Sequence, residues 1–327
     1  MSCHRTPATK PRQTGAALLA AMLTVTLVAT FAAAALWQNW RSVEVEAAER
    51  ARVQAGWVLT GALDWARLIL REDARSGGAD HLAEPWAVPL QEARLSSFLA
   101  ADKSNVGGAE EALDAFLSGQ ITDLQSRLNV LNLVENGKIS EPSFAAFNKL
   151  FGLLGLPPAQ LQALVENLRQ ASDNGTGSQA PLLPQRVGQL AWLGLSPASI
   201  AVLEPYVTLL PARTGVNLNT ASAEVICASL PAMEMADAQR MVAARTRTHF
   251  RSLTDAASAA GLSGSLFSEG NHTVASRFFE VLGTLRMEQT LVEERSVVQR
   301  DGLNVTTLWR ERVARAPAVT QTSGARP

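Results

Sequence analysis

The sequence predicts an α+β fold, in which a long N-terminal helix packs on a small antiparallel sheet and a large helical domain is inserted into the chain of that sheet. No proline interrupts residues 13–84, where apolar residues recur at helical spacing. Residues 140–260 also have helical patterning, whereas residues 277–311 are rich in Val, Thr, Phe and Leu. The predicted order is therefore long helix, strand, helical block and strands.

Composition narrows the classes of protein to which the chain can belong. It has 327 residues, of which 47% are hydrophobic and 18% charged, as in a globular protein. The net charge is −1, so the chain lacks the basic excess typical of a broad nucleic-acid-binding surface. Cys227 lies in an apolar helical pattern, which favours a small buried side chain over a reactive thiol.

The N-terminal segment predicts a helix that spans a membrane. Residues 1–12 are polar and basic, and residues 13–40 carry no charged side chain. A span needs about 20 predominantly apolar residues, so this segment is long enough. Basic residues before the span predict a cytoplasmic N-terminus and a periplasmic C-terminal domain, anchored by a single pass in the inner membrane.

Three interpretations of this segment remain open: a signal peptide cleaved near residues 33–35, an uncleaved anchor, and a short leader that ends in Gly. The junction at residues 12–16 resembles the leader of type IV prepilins. That resemblance implies that a prepilin peptidase cuts between Gly15 and Ala16 and that the new N-terminus is methylated. Most pilins carry Glu at the fifth mature position, where this chain has Ala20. The minor pseudopilin K family of type II secretion systems (general secretion pathway protein K) typically lacks that Glu.

Two later segments resemble signatures of the same family. Residues 80–87 read Asp-His-Leu-Ala-Glu-Pro-Trp-Ala and resemble D-H-L-G-E-P-W-A, with Ala83 in place of Gly. Residues 123–133 resemble D-x-x-G-R-F-N-L-N-N-L, with Ser126 in place of Gly and Leu128 in place of Phe. The matching positions are Asp80, His81, Leu82, Glu84, Pro85, Trp86, Asp123, Arg127, Asn129 and Asn132. For the first segment, a structured loop anchored by Trp86 is favoured over a metal site of Asp80, His81 and Glu84.

The helical block contains a module that is compatible with two functions. Asn217, Asn219, Thr220 and Ala221 resemble the N-x-N-T-A opening of a helix-hairpin-helix-like (SAM-like) module, with Asn219 or Thr220 predicted to cap the next helix. Membrane-anchored DNA receptors of the competence type carry such a module, and so does the minor pseudopilin K family.

The hairpin of this module, residues 230–234, argues against DNA binding. It has no Gly, Pro231 has no N–H, and Glu234 would repel phosphate. Arg240, Arg245, Arg247 and Arg251 follow, and a solvated face explains them better than a phosphate track does. We therefore expect the module to contact protein and no nucleic acid.

Neither a cofactor nor an enzymatic activity is predicted. The polar loop at residues 172–178 lies where the family often binds calcium, but Asp173 is the one ligand that remains, and calcium prefers several carboxylates. Calcium is therefore implied by the resemblance alone. The four histidines lack metal-ligand spacing, and the chain contains no G-x-S-x-G, P-loop or C-x-x-C motif.

Together these features predict a minor pseudopilin that caps the tip of the periplasmic pseudopilus and helps to initiate its assembly for protein export. The implied partners are the I-type and J-type minor pseudopilins, the major pseudopilin, the inner-membrane assembly platform and the prepilin peptidase. The alternative is the membrane-anchored DNA receptor. The predicted domains are a leader (1–15), a long helix (16–75, with 16–37 transmembrane), a pilin-like β region (76–123 and 276–313), an inserted helical domain (124–275) and a flexible tail (314–327).

Overall fold

The computed structural model describes residues 14–96, 115–173, 180–261, 263–287 and 290–315. Helix α1 (Thr14–Ser76) is continuous over 63 residues, as predicted. The leader before residue 14, most of the polar loop at residues 172–178 and the tail beyond residue 315 lie outside the described residues. The chain divides into two compact units, one up to Trp57 and one from Val58 onward.

The N-terminal part of the first unit has the apolar surface of a membrane-spanning helix. Side chains from residue 16 to residue 50 are all exposed, including an almost uninterrupted apolar run over the first two dozen of them. Within the described residues, α1 is the one helix that is long and apolar enough to cross a membrane. A helix that is apolar on every side needs an apolar environment, and this one fits a single span.

The second unit is built on a five-stranded antiparallel sheet with strand order β1-β2-β9-β10-β11. Its strands are β1 (Leu90–Arg94), β2 (Ala115–Asp123), β9 (Phe278–Met287), β10 (Thr290–Asp301) and β11 (Asn304–Arg315). The predicted C-terminal meander is confirmed, and Gly302 occupies its last turn with a φ of 58°. Strand β1 was not predicted, because its sequence contains no β-branched or aromatic residue.

The end of α1 packs on one face of this sheet. Leu63, Ala66 and Leu70 are buried against strand side chains that include Phe279 and Val298. Beside them, Gly119 of β2 and Gly283 of β9 are directly opposed. A Cβ atom on Gly283 would lie 3.2 Å from Leu59 Cδ2, and one on Gly119 would lie 2.9 Å from the carbonyl oxygen of Leu282. The glycine pair therefore allows the helix and the strands to approach closely.

The helical part between β2 and β9 has its own apolar core. Its helices are α2 (Glu141–Leu153), α3 (Pro158–Ser172), α4 (Pro197–Leu203), α5 (Ala223–Ser229), α6 (Met235–Arg247) and α7 (Leu253–Ala260). Short strands join them: β3 (Leu128–Asn129), β4 (Val134–Glu135), β5 (Lys138–Ile139), β6 (Val207–Thr208), β7 (Val216–Asn217) and β8 (His272–Thr273). Strand β3 pairs with β6, and β7 pairs with β8, both in parallel.

The residues that cap the helices of this part can be compared with what the sequence indicates. Ser196 directly precedes a proline and caps α4 by accepting a hydrogen bond from the backbone N–H of Ser199. The predicted cap of α5 is wrong, because the helix begins at Ala223 and Ser222 accepts the hydrogen bond from Val225 N–H. Cys227 is buried, as expected.

Candidate functional site: a buried polar junction

Several of the predicted signature residues converge on one buried cluster, although they lie far apart in the sequence. We call this cluster the polar junction; its members are Asp80, Asp123, Asn217, Thr220, Ser276 and Arg300, none of which is more than 9% exposed. Asp80 lies in the loop after α1, and Asp123 lies at the end of β2. Asn217 and Thr220 lie at the start of the helix-hairpin-helix-like module, Ser276 precedes β9, and Arg300 lies on β10. The junction therefore ties the long helix, the sheet and the helical part together.

Asp123 is the acceptor at the centre of the junction. Its Oδ1 accepts a hydrogen bond from Gln125 N–H at 2.7 Å. Its Oδ2 accepts from Asn217 Nδ2 at 3.0 Å, Thr220 Oγ1 at 2.5 Å and Ser276 Oγ at 2.6 Å. Burial raises the pKa of Asp123 to about 6, against the effect of these donors. At neutral pH the side chain is therefore a buried carboxylate surrounded by donors.

Arg300 provides the positive charge. It lies on β10, and its Nη1 donates to Asp73 Oδ2 at 2.6 Å. Its Nη2 donates to Asp80 Oδ1 and, at 2.8 Å, to the carbonyl oxygen of Ser276. Burial lowers the Arg300 pKa, but the charges and hydrogen bonds of Asp80 and Asp73 outweigh burial and raise it. The guanidinium also lies 4.8 Å from the ring centroid of Phe279.

The signature loop after α1 is held by Glu84 and Trp86. Glu84 Oε2 accepts from His81 N–H and from Trp86 Nε1, each at 2.8 Å, and Trp86 is buried beside α1. Carboxylate oxygens of Asp73, Asp80 and Glu84 lie within 4.8 Å of one another and could hold a cation. The guanidinium of Arg300 already bonds to two of these carboxylates, so the geometry is that of an ion-pair cluster.

The side chain of His81 does not join that carboxylate cluster. Its Nδ1 accepts from Ala83 N–H at 3.2 Å, and its ring stacks on His249 with 3.8 Å between centroids. Burial, and then the charges of His81 and Arg251, lower the pKa of His249. The stack thus joins the signature loop to the segment between α6 and α7.

Three signature asparagines bind backbone groups of distant segments. Asn129 Nδ2 donates to Ala212 O at 2.9 Å, and its Oδ1 accepts from Leu210 N–H at 3.1 Å. Asn132 likewise donates to Thr214 O at 2.7 Å and accepts from Thr214 N–H at 3.3 Å. Asn219 donates to Phe250 O at 2.9 Å and accepts from Phe250 N–H at 2.8 Å. An amide side chain can replace a strand neighbour in this way, because it offers one donor and one acceptor side by side.

The other predicted residues lie outside these clusters. Leu82 is exposed, Pro85 begins a 3-10 helix (Pro85–Ala87), and Ala221 is buried in the core of the helical part. Arg127 is half-buried, and its backbone N–H donates to Leu124 O. Gly15, Ala16 and Ala20 lie in the first turns of α1.

Sequence reasoning missed Arg300, Ser276 and Asp73. A signal for Arg300 was present, since its position in the alternation of β10 matches that of Val298, which faces α1. A charged residue at an inward position requires a buried partner, which the sequence alone does not identify.

The predicted solvated arginine face is wrong for Arg245. Its Nη1 donates to the carbonyl oxygen of Leu218 at 2.6 Å, and burial lowers its pKa to about 10. Arg240 pairs with Asp237 on the surface of α6. Arg245 therefore fixes α6 to the start of the module and is not available to bind phosphate.

The hydrogen bonds of the polar junction connect segments of the chain to one another. Among the described residues, the one buried side-chain nitrogen or oxygen without a hydrogen-bond partner is His272 Nε2, which is not a member of the junction. The carboxylates of the junction are therefore committed to donors within the chain, and the cluster holds three parts of the molecule in one orientation.

Comparisons with known proteins agree with the architecture. Two family models, each described as type II secretion system (T2SS), protein K, match residues 126–212 and residues 216–275. Type II secretion system protein K of Pseudomonas aeruginosa is 27% identical over 300 residues, which cover 84% of this chain and 85% of that protein. Its counterpart from Klebsiella pneumoniae is 28% identical over 330 residues, which cover 89% and 94% of the two chains.

A solved structure has a similar fold. A chain of the crystal structure of the GspK-GspI-GspJ complex from the type 2 secretion system of enterotoxigenic Escherichia coli superposes with a TM-score of 0.65. The match covers 81% of this chain and 98% of that chain, at 17% sequence identity. It confirms the predicted α+β, pilin-like fold.

Proposed function

Because this chain belongs to the minor pseudopilin K family of type II secretion systems, we propose that it caps the tip of the periplasmic pseudopilus and helps to initiate pseudopilus assembly. The family is a structural component of the secretion machinery, and the polar junction has the character of a structural cluster. The proposed partners are the I-type and J-type minor pseudopilins, followed by the major pseudopilin and the inner-membrane assembly platform.

The observation that carries this proposal is the outward face of α1 in the second unit. Leu63, Ala66 and Leu70 on one side of the helix are buried, whereas Trp65 is 56% exposed and Leu68 is 47% exposed on the other side. Gly61 lies one turn before Trp65 and has open space around it. Exposed apolar residues at helical spacing mark a surface for contact with another protein. We propose that helices of the I-type and J-type partners cover this face.

The helical part supports a position at the tip. A subunit inside a filament needs neighbours on both sides, and a domain as large as residues 124–275 is too bulky to repeat along the filament. Ala20 lacks the carboxylate with which a pilin pairs a neighbouring terminal amine, so no further subunit needs to stack above. The proposed domains are the leader, the long helix, the β region, which ends at Arg315, and the inserted helical domain.

The proposal also includes processing and topology. A prepilin peptidase removes the leader between Gly15 and Ala16. The processed helix crosses the inner membrane with its N-terminus in the cytoplasm, and the second unit lies in the periplasm. Mass spectrometry of the intact chain from cells with and without the peptidase tests this step. A terminus at Ala16 is expected only with the peptidase, and a cut near residue 35 in either cell would contradict it.

Co-purification tests the partner surface. The full chain is co-expressed with the I-type and J-type proteins in cells that contain the peptidase. Both partners are expected to co-purify with the wild-type chain and to be lost from Trp65→Glu, because the new carboxylate would be desolvated in a helix contact. Trp192→Glu is the matched control, since Trp192 is 48% exposed on the helical part. Retention of both partners by Trp65→Glu, or failure of the wild-type chain to bring either, would contradict the proposal.

A further inference from the structure

The connection between α5 and α6 contains a cation-binding arrangement that is separate from the polar junction. Lys149 lies on α2, and its Nζ donates to Leu230 O at 2.9 Å, Pro231 O at 3.3 Å and Met233 O at 2.5 Å. An ammonium group has three donors and no acceptor, so these three carbonyl groups satisfy all of its donors. We propose that this hairpin is a binding site for a monovalent cation or primary ammonium, and that the side chain of Lys149 is its occupant.

The backbone of the hairpin forms the site. Leu230 ends α5 with an extended conformation, and its carbonyl oxygen also accepts from Met233 N–H at 3.0 Å. Both Leu230 and Met233 are buried, so their backbone positions are fixed by the core. Cys227 Sγ also donates to Met233 O, at 3.4 Å. The carbonyl groups of Leu230 and Met233 are thus held in place by contacts other than those with Lys149.

The three carbonyl oxygens determine which class of ligand the hairpin can bind. Three neutral carbonyl oxygens attract a cation and repel an anion, so the hairpin does not select phosphate. A divalent ion such as calcium takes six to eight oxygens and usually several carboxylates, none of which belongs to this set. A singly charged cation fits, and Lys149 delivers one from a neighbouring helix.

The site is tested by replacing Lys149, because loss of its ammonium group leaves the three carbonyl groups free to bind a cation from solution. We would compare Lys149→Ala with Lys138→Ala in the full chain in detergent, and measure thermal unfolding in chlorides of potassium, ammonium and tetramethylammonium at equal ionic strength. Lys138 is the other lysine among the described residues, and it is exposed on β5. Lys149→Ala is expected to have the lower Tm in tetramethylammonium and to recover part of the loss in potassium or ammonium. Lys138→Ala and the wild-type chain are expected to show no such recovery.

Two outcomes would overturn the proposal: a Tm for Lys149→Ala equal to that of Lys138→Ala, or a loss that is the same in all three salts. If Lys149→Ala does not fold, the wild-type chain provides the test. An acetylating reagent should modify Lys149 several-fold more slowly than Lys138, as followed by mass spectrometry of peptides, because the Lys149 ammonium is held by three acceptors. Equal rates for the two lysines would contradict the assignment.

Discussion

The sheet of the second unit makes two contacts that differ in kind. Helix α1 packs on it mainly through aliphatic and aromatic side chains beside a glycine pair. The helical part meets it at the polar junction and, beside it, through a small apolar cluster of Leu124, Leu210, Phe278 and Val297. Apolar contacts are non-directional and grow with the area buried. Hydrogen bonds and ion pairs are directional, and they are costly when one partner is lost. The apolar contact therefore supplies stability, and the polar junction sets the orientation of the helical part.

The largest loss in the free energy of unfolding is expected when Arg300 is replaced. In Arg300→Met, Asp73 and Asp80 lose their shared cation in a buried site. Removing one partner of such a pair typically costs about 3–5 kcal/mol. We expect a loss of this size in the free energy of unfolding of the full chain, measured by urea denaturation. Arg277→Met is the control, because its pair with Asp301 is about half exposed and should contribute at most ~1 kcal/mol. Equal losses in the two variants would show that the junction is no more than a surface ion pair.

The pH dependence of stability would sharpen the same comparison. The pKa of Asp123 is about 6 in the folded chain against a reference value of 3.8. A raised pKa means that the folded state binds the proton more tightly, so this group's contribution is greatest below pH 3.8 and is lost as pH rises through 6. At 1.36 kcal/mol per pKa unit, the loss is on the order of 3 kcal/mol.

The measurement is the free energy of unfolding between pH 4 and 7 for the wild-type chain and for Asp123→Asn, which cannot titrate. The wild-type curve should fall relative to the variant as pH rises. A constant difference between the two curves would mean that Asp123 keeps its ordinary pKa. It would then be a carboxylate whose four donors fully compensate for its burial.

The difference between apolar and polar contacts also explains which parts of the structure could be predicted from the sequence. Periodicity identifies which face of a helix or strand is apolar, so the long helix, β2 and the C-terminal meander were all predicted. Helices α2, α3 and α4 each have proline in the first turn, and Ser196 caps α4, so the starts of these helices depend on residues within one turn of the chain. Short-range patterns carry this kind of information.

The junction depends instead on residues that are distant in the sequence. The resemblance selected Asp80, Asp123, Asn217 and Thr220, but it did not show that they meet, nor that Ser276 and Arg300 complete the cluster. The error at the cap of α5 has the same origin. Asn219 and Thr220 have the composition of a helix cap, but their side chains bond to Phe250 and Asp123. Tertiary partners therefore overrode a valid local preference.

The smallest loss in stability is expected for a substitution at the glycine pair, which tests the apolar contact between α1 and the sheet. In Gly283→Val the new Cβ would lie 3.2 Å from Leu59 Cδ2 and its methyl groups would press further into α1. Overpacking of this kind typically costs about 1–3 kcal/mol. Thr284→Val is the control, because Thr284 is the next residue of β9 and lies on the opposite face of the sheet. We expect Gly283→Val to unfold at a lower urea concentration than Thr284→Val. The folded variant is expected to keep the proposed binding of I-type and J-type partners at the outward face of α1. Equal midpoints would show that α1 can move away from the sheet at little cost, and that its position is set mainly by the polar junction.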